Sequence, residues 1–146
     1  MSKLLSHAIA VRLLAAIACD SNLDMYHFDA EQAFVQSELE EEIYVKLPPG
    51  CGSESGTVVR LNRSLYDLKQ ASRAWNTLLG RALRMHGFEQ CLTDPCVFHR
   101  MNVERVQMML AVHVDDMIVV GSKHDCSELR SSLGTSFPIK DLGELE

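Results

Sequence analysis

The chain has 146 residues, of which 47% are hydrophobic, so it is long enough for one domain with a hydrophobic core and is unlike a disordered chain. Its formal net charge of −6 argues against a free-standing nucleic-acid-binding protein, because such a protein needs a basic surface. No apolar run is long enough to span a membrane, and the odd number of cysteines, five, fits no disulfide framework. We therefore expect an intracellular, reduced protein with no membrane partner.

The first half of the chain predicts a helix followed by short strands. We interpret Ser6 as the cap of a helix that extends to about Ala18. This segment is apolar nearly all round, with Ile9 and Leu13 at helical spacing, so we expect it to be largely buried. Strands are expected over residues 24–29, 40–47 and 57–61, with a turn or short helix after the first and a Pro–Pro–Gly loop after the second.

The second half predicts two amphipathic helices around a β-hairpin. Apolar residues that include Trp75 recur at three and four positions, which indicates a helix over residues 68–85. A short strand over 96–99, a hairpin over 106–121 and a helix over 125–133 follow, and residues 139–146 resemble the start of an unfinished element. Strands and helices mix without strict alternation, which favours an α+β fold with an antiparallel sheet and helices packed on one face.

Two adjacent aspartates, Asp115 and Asp116, lie in the middle of the apolar run VQMMLAVHVDDMIVVG. Burying unpaired carboxylates is costly and neighbouring ones repel each other, so a divalent cation is the strongest candidate for stabilising them. The alternative is an ordinary solvated turn, in which Asp is favoured. A third carboxylate, Asp29 at the end of a strand, favours the cation. Such a set can hold two divalent ions about 4 Å apart for phosphoryl transfer, and Mg²⁺ suits this because it leaves places for substrate phosphates.

Five segments then appear in an order that carries a family resemblance: FDAEQAFVQSELEEEIYVKLPPG, VVRLNRSLYDLKQASRAW, LTDPCVFHR, VHVDDMIVVG and FPIKDLGEL. Together they closely resemble the reverse transcriptase of copia-type LTR retrotransposons. The resemblance implies a right-hand polymerase palm with part of the fingers. Residues 1–146 are expected to form a single incomplete domain, with a fingers remnant over about 1–24 and 40–66, the palm over about 25–39 and 67–146, and the thumb and ribonuclease H absent.

The resemblance also implies an activity and its site. The family copies RNA or DNA into DNA by adding deoxynucleotides to a primer 3′-hydroxyl. Asp29, Asp115 and Asp116 match its catalytic, metal-binding aspartates, with Asp115 the stronger metal ligand of the adjacent pair. The implied cofactor is a pair of Mg²⁺ ions, with Mn²⁺ as a substitute. The implied partners are a primed RNA or DNA template, deoxynucleoside triphosphates and the rest of the Pol polyprotein, including integrase and ribonuclease H, in a cytoplasmic virus-like particle or the nucleus.

Five further positions match the nucleotide site of the family. Phe34 resembles the aromatic gate that excludes a 2′-hydroxyl, although a core aromatic is the alternative. Ala30 matches a position where the nucleotide approaches closely and an amide can contact a phosphate. The candidates for phosphate or base contact are Lys69, Gln70 and Arg73, whose alternative is a solvated helix face.

Three residues depart from the family pattern. His113 stands in place of Tyr, Asp67 in place of Gly and Ser72 in place of Pro. These departures, the acidic charge and the missing thumb predict that the isolated chain binds nucleic acid weakly and polymerises little or not at all. We also expect weak Mg²⁺ binding without nucleotide.

The sequence leaves three other interpretations open. The first is a catalytically dead, retroelement-derived palm that acts as a binding or structural module. The second is a metal-dependent nuclease that uses the same carboxylates. The third is a structural zinc site, for which the spacing is poor, formed by His86, Cys91, Cys96 and His99.

Overall fold

The computed structural model describes residues 3–36, 38–39, 41–65 and 70–146, and their side chains except those of residues 3–7, 34 and 36. The elements in chain order are α1 (Lys3–Ser21), β1 (Asp24–Ala30), α2 (Ala33–Gln36), β2 (Tyr44–Lys46), a 3₁₀ turn (Gly52–Glu54), β3 (Val58–Arg60), α3 (Ala71–Met85), β4 (Glu89–Gln90), β5 (Val97–Asn102), β6 (Arg105–His113), β7 (Asp116–Gly121), α4 (Lys123–Gly134) and β8 (Ile139–Glu144). The fold is α+β with an antiparallel sheet, as the sequence predicts.

The chain divides into two compact units, one formed by Met1–Gln32 with Leu79–Glu146 and the other by Ala33–Leu78. The larger unit contains a six-stranded sheet in the order β4-β5-β6-β7-β1-β8. Every neighbouring pair in it is antiparallel. Residues 139–144 of the element predicted after residue 138 form β8, which pairs with β1. Among the described residues, no helix is both long and apolar enough to cross a membrane.

Helix α1 packs on one face of this sheet through small and apolar residues. Ala10, Leu14 and Ala18 are buried in a cluster with sheet residues that include Ile118 and Val120. The prediction of a largely buried helix is wrong for the other side, because Ile9 and Leu13 are 50% and 52% exposed. Composition alone shows that a helix is apolar but not which stripe the sheet covers.

The start of α1 also differs from the prediction. The helix already begins at Lys3, so Ser6 lies inside it and is not its cap. A single Ser inside a helix is only mildly unfavourable, and the surrounding Leu and Ala residues favour helix on both sides of it. The helix ends at Ser21, beyond the predicted end near Ala18.

Helix α4 packs on the opposite face, because Gly121 beside its Cys126 alternates along β7 with Ile118 and Val120, which α1 covers. Helices therefore cover both faces of the sheet, where the sequence predicted one. Its N-cap is Ser122, whose hydroxyl accepts a hydrogen bond from the Asp125 amide at 3.1 Å. Its buried residues are Cys126, Leu129 and Leu133. The Cys126 sulfur lies close to Gly121, the last residue of β7, where an added Cβ would be 3.3 Å from it.

Arg100 ties several elements of the larger unit together beneath α4. Its guanidinium donates hydrogen bonds to the His86 carbonyl oxygen at 3.3 Å and to the Met108 sulfur at 3.1 Å. It also lies 5.3 Å from the centre of the Phe88 ring and 3.7 Å from an Asp125 oxygen. A single half-buried cation thereby joins the end of α3, the strand β6 and the start of α4.

The smaller unit contains α2, the β2–β3 hairpin and the first half of α3. The two strands are shorter than the predicted 40–47 and 57–61, and Val45 opposite Val59 is their central pair. The predicted apolar stripe of α3 is confirmed within each unit: Ala71 and Trp75 are fully buried in the smaller one, and Leu79 and Leu83 in the larger. The first predicted positions of this helix, 68 and 69, lie outside the described residues.

Candidate active site

Four side chains form a row across four strands of the larger unit. The registers place His113 of β6 opposite Asp116 of β7, Asp116 opposite Asp29 of β1, and Asp29 opposite Lys140 of β8. Residues directly opposite each other in antiparallel strands point to the same face of a sheet. The row therefore brings two of the three predicted carboxylates together between a histidine and a lysine.

The third carboxylate, Asp115, lies in the two-residue turn Val114–Asp115 that connects β6 to β7. Val114 has a φ of 58°, a left-handed conformation that is strained for a β-branched residue. The turn is attached to β1 because the Ala30 amide donates a hydrogen bond of 2.8 Å to the Asp115 carbonyl oxygen. This bond continues the β1–β7 ladder and fixes the turn beside the end of β1.

The pKa of Asp29 depends on both residues of the aspartate pair. Burial raises the pKa of its carboxyl most strongly, and the negative charges of Asp115 and then Asp116 raise this pKa further. His27 and Lys140 act in the opposite direction and lower it. The three carboxylates therefore share one electrostatic environment, in which adding a positive charge would be favourable.

Asp116 has a specific partner on β1. The Nε2 atom of His27 lies 2.7 Å from its Oδ1 atom, and both side chains are partly exposed. His27 precedes Asp29 by two positions on the strand, so the two point to the same face. Asp116 is thus the diagonal neighbour of His27, which itself lies opposite Ile118.

The edge strand β8 is irregular beside this row. His27 pairs with Gly143 and Phe28 with Asp141, so Leu142 is an extra, unpaired residue in a β-bulge. A hydrogen bond of 3.0 Å from the Glu31 amide to the Pro138 carbonyl oxygen joins the end of β1 to the residue before β8. These contacts hold Lys140 in register with Asp29.

The donor chemistry suits a hard divalent cation, because carboxylate oxygens are the ligands that Mg²⁺ prefers. Within the described ranges, however, no three His, Cys, Asp or Glu side chains are arranged so that they could hold an ion together. The Asp116 carboxylate is directed to His27 instead. The carboxylates are therefore close in space without converging on one point.

Comparison with known proteins shows to which family the chain belongs. A family model described as "Reverse transcriptase (RNA-dependent DNA polymerase)" matches residues 4–146. The chain belongs to this reverse transcriptase family. The resemblance to copia-type reverse transcriptases drawn from the five motifs is confirmed.

Several curated relatives of this reverse transcriptase chain are Pol polyproteins of transposons. It is 34% identical over 137 residues to the "Retrovirus-related Pol polyprotein from transposon TNT 1-94" of Nicotiana tabacum. This alignment covers 92% of the chain and 10% of the relative. It is 31% identical to the polyprotein of transposon RE1 of Arabidopsis thaliana, over 93% of the chain and 9% of the relative. It is 30% identical to the Ty1-MR1 Gag-Pol polyprotein of Saccharomyces cerevisiae, over 77% of the chain and 6% of the relative.

These alignments cover most of the chain but only a small part of each relative. The chain spans at most a tenth of the length of these relatives. No solved structure matches it.

Two of the predicted nucleotide contacts of the reverse transcriptase chain lie together in the smaller unit. Gln70 and Arg73 line a cleft of about 120 Å³ with residues that include Glu41. The Gln70 side-chain amide donates a hydrogen bond of 2.8 Å to a Glu41 oxygen, while its own carbonyl oxygen is buried and has no hydrogen-bond partner among the described residues. Arg73 is exposed on α3.

The other predicted contacts are only partly visible. Phe34 lies in α2, but its side chain is not among those described. Lys69 lies outside the described residues, as does the family departure Asp67. Ala30 is buried and its amide is donated to the Asp115 carbonyl, so a phosphate contact through this amide would require that bond to break.

The candidate zinc residues have other neighbours. Cys91 contacts the Thr93 hydroxyl at 3.2 Å, and His99 lies 3.9 Å from Glu89. In the described part of the chain, which includes all four residues, no group of three or more such side chains is arranged to hold a metal ion.

Sequence reasoning missed two residues of the site, His27 and Lys140. The signal for His27 was available, because a residue two positions before Asp29 on a strand must share its face. Lys140 lies within the quoted motif FPIKDLGEL, but its position opposite Asp29 follows from a strand pairing that the sequence does not reveal.

Proposed function

We propose that this chain forms the catalytic palm of an RNA-directed DNA polymerase of a copia-type retrotransposon. The reaction is the addition of a deoxynucleotide to a primer 3′-hydroxyl on an RNA or DNA template. The observation that supports it best is the register of β1 and β7, which places Asp29 opposite Asp116 and beside the Asp115 turn. Carboxylates from distant parts of the sequence meet there on one face of the sheet.

The proposal gives each of these side chains a role. Asp29 and Asp115 would hold the divalent ions, with Mg²⁺ the natural choice because it leaves places for substrate phosphates. When bound, a pair of such ions lowers the pKa of the attacking hydroxyl and stabilises the leaving pyrophosphate. Asp116 adds negative charge next to them, and Lys140 limits the repulsion around Asp29 from the other side.

The proposal includes the nucleotide site and the larger assembly. Gln70 and Arg73, with Lys69, contact the incoming nucleotide or the template, Phe34 excludes a 2′-hydroxyl, and Ala30 lets the nucleotide approach. The division into fingers and palm follows the boundaries given in the sequence analysis. Because the matched relatives are Pol polyproteins, integrase and ribonuclease H regions are the proposed neighbours of this chain.

A chimaera tests the proposal in a complete polyprotein. The chain replaces the matching 137 residues of the tobacco transposon polyprotein, and incorporation of one deoxynucleotide on a primed template is measured with and without Mg²⁺. We expect Mg²⁺-dependent incorporation that Asp115→Asn and Asp29→Asn each reduce by about 100-fold or more. The exposed Glu104→Gln, in the turn at the other end of β6, serves as the matched control and retains activity.

The hydrogen bond between His27 and Asp116 supports a second candidate, a palm that no longer catalyses and acts as a binding module. In this alternative the histidine permanently occupies a former catalytic carboxylate through this hydrogen bond. An inactive chimaera, beside an active unaltered tobacco polyprotein, would favour this alternative.

A further inference from the structure

We propose that His27 is a positioning residue that keeps the Asp116 carboxylate away from the ion-binding point, so that Asp29 and Asp115 are the direct metal ligands. This inference deepens the proposed function and rests on it. It begins from the hydrogen bond of 2.7 Å between His27 Nε2 and Asp116 Oδ1.

The strand geometry explains why this contact can direct Asp116. Asp116 is bordered by Asp29 on β1, by His113 on β6 and by the preceding Asp115. Turning its carboxylate towards Asp29 would bring two negative charges together, whereas His27 offers a hydrogen-bond donor on the diagonal. The Nε2–H tautomer of a neutral imidazole is sufficient for this bond, so the argument does not depend on a charged histidine.

The neighbourhood of His27 supports a directed rather than an incidental contact. On the β8 side His27 faces Gly143, a glycine with a φ of 104° that has no atom within 4 Å of where its Cβ would lie. On the β7 side it faces Ile118, which packs under α1. Across the strands the imidazole is bordered by an apolar side chain and an open glycine, and along its own strand by Asp29, while its side-chain hydrogen bond in the described structure goes to Asp116.

The position of Asp115 completes the inference. Its backbone is fixed by the bond from the Ala30 amide, and its charge is felt at Asp29. Asp116 would have to leave His27 before it could bind a cation. In the described structure, Asp115 and Asp29 have no such hydrogen bond to a basic side chain. Releasing Asp116 from His27 would supply a third oxygen ligand.

Mn²⁺ binding to the 146-residue chain tests this directly, without nucleotide and without turnover. The loss of the electron paramagnetic resonance signal of free Mn²⁺ reports the affinity. Without the hydrogen bond, Asp116 can turn to the ion, so we expect His27→Ala to bind Mn²⁺ about threefold to tenfold more tightly. His27→Gln keeps a neutral donor and should bind like the unaltered chain.

A double-mutant cycle separates this role from a structural one. The gain in His27→Ala should vanish in the double variant His27→Ala/Asp116→Asn, because the released ligand is then absent. Thermal unfolding of each variant checks that it is folded. If His27→Ala is unfolded, His27→Asn replaces it in the comparison with His27→Gln. Asn has a side-chain donor but is too short to reach Asp116, so His27→Asn should bind Mn²⁺ as tightly as expected for His27→Ala.

The outcomes distinguish this inference from the function on which it rests. If Asp29→Asn and Asp115→Asn weaken Mn²⁺ binding while His27→Ala and His27→Asn leave it unchanged, the inference about His27 is overturned and the metal site is retained. The same holds if His27→Gln binds as tightly as His27→Ala. If neither Asp29→Asn nor Asp115→Asn alters Mn²⁺ binding, both the inference and the proposed metal site fail.

Discussion

Asp29 of β1 and Asp116 of β7 lie directly opposite each other. Burial raises the pKa of the Asp29 carboxyl most strongly, and the negative charges of Asp115 and then of Asp116 raise it further. The folded chain therefore holds a proton on Asp29 more tightly than the unfolded chain does. This relationship makes the stability of the protein depend on pH in a defined direction.

The first prediction concerns that dependence in metal-free buffer. As the pH rises above the ordinary pKa of an Asp carboxyl, the unfolded chain loses the proton first, so stability falls until the pH passes the higher pKa of folded Asp29. Asp29→Asn removes this loss, and we expect its Tm at neutral pH to be higher by about 2–4 °C. Below the ordinary carboxyl pKa the two proteins should unfold at the same temperature. Equal Tm values for both at neutral pH would contradict the raised pKa, and Glu104→Gln provides the control for the loss of a charge.

The second prediction concerns the strained turn. Val114 and Val103 occupy the first position of two-residue turns at the two ends of β6, with φ values of 58° and 54°. Replacing either by Gly relieves strain but increases the freedom of the unfolded chain, and we expect each variant to be stabilised by about 1 kcal/mol in urea unfolding. Only Val114→Gly should weaken Mn²⁺ binding, because only this turn carries Asp115. Val103→Gly is the matched control, and an equal effect of both on Mn²⁺ would contradict a role for the Val114 conformation in the site.

The third prediction concerns Arg100. Arg100→Ala removes its contacts with the His86 carbonyl, the Phe88 ring and Asp125. We expect the free energy of unfolding to fall by about 2–3 kcal/mol, because a half-buried cation with several partners is lost. Arg130→Ala removes an exposed arginine 3.9 Å from Asp141 and should change stability by less than about 0.5 kcal/mol. Similar losses for the two variants would show that the Arg100 contacts contribute little.

The fourth prediction ranks two cysteines by reactivity. A hydrogen bond from the Thr93 hydroxyl, followed by backbone hydrogen bonds, lowers the pKa of the Cys91 thiol, whereas burial raises the pKa of Cys126 to about 12. Because the thiolate is the reacting species, iodoacetamide at neutral pH should modify Cys91 before Cys126. Thr93→Val should slow the labelling of Cys91 by about threefold and leave the labelling rate of Cys19 unchanged. Mass spectrometry of a time course measures each site, and faster labelling of Cys126 than of Cys91 would contradict the environment described for both.

Periodicity predicted the elements whose burial follows a simple pattern. The hairpin around Asp115 and Asp116, the strand that ends near Asp29 and the buried stripe of α3 with Trp75 all appear as expected. Each has a side-chain alternation or a helical spacing that its own segment displays. Local sequence is therefore sufficient where one face of an element is clearly more apolar than the other.

Other features depend on partners that are distant in sequence. β8 contains Lys140, Asp141 and Glu144 and is mostly exposed, so its sequence carries no alternation that marks it as a strand. The covered side of α1 is decided by the sheet beneath it, and nearly uniform apolarity gave no sign of it. The bond between His27 and Asp116 requires the register of β1 against β7, which no single segment specifies.

The strand order places β1 between β7 and β8, which follow it far along the chain. A nascent polypeptide therefore exposes β1 while the segments from α2 to β6 are made, and the sheet cannot close around it until β7 has left the ribosome. Pairings between such distant segments fold slowly, because the entropy of closing a long loop must be overcome first. The strand that carries Asp29 is accordingly among the last to find its place, and until then it is open to chaperones and to aggregation.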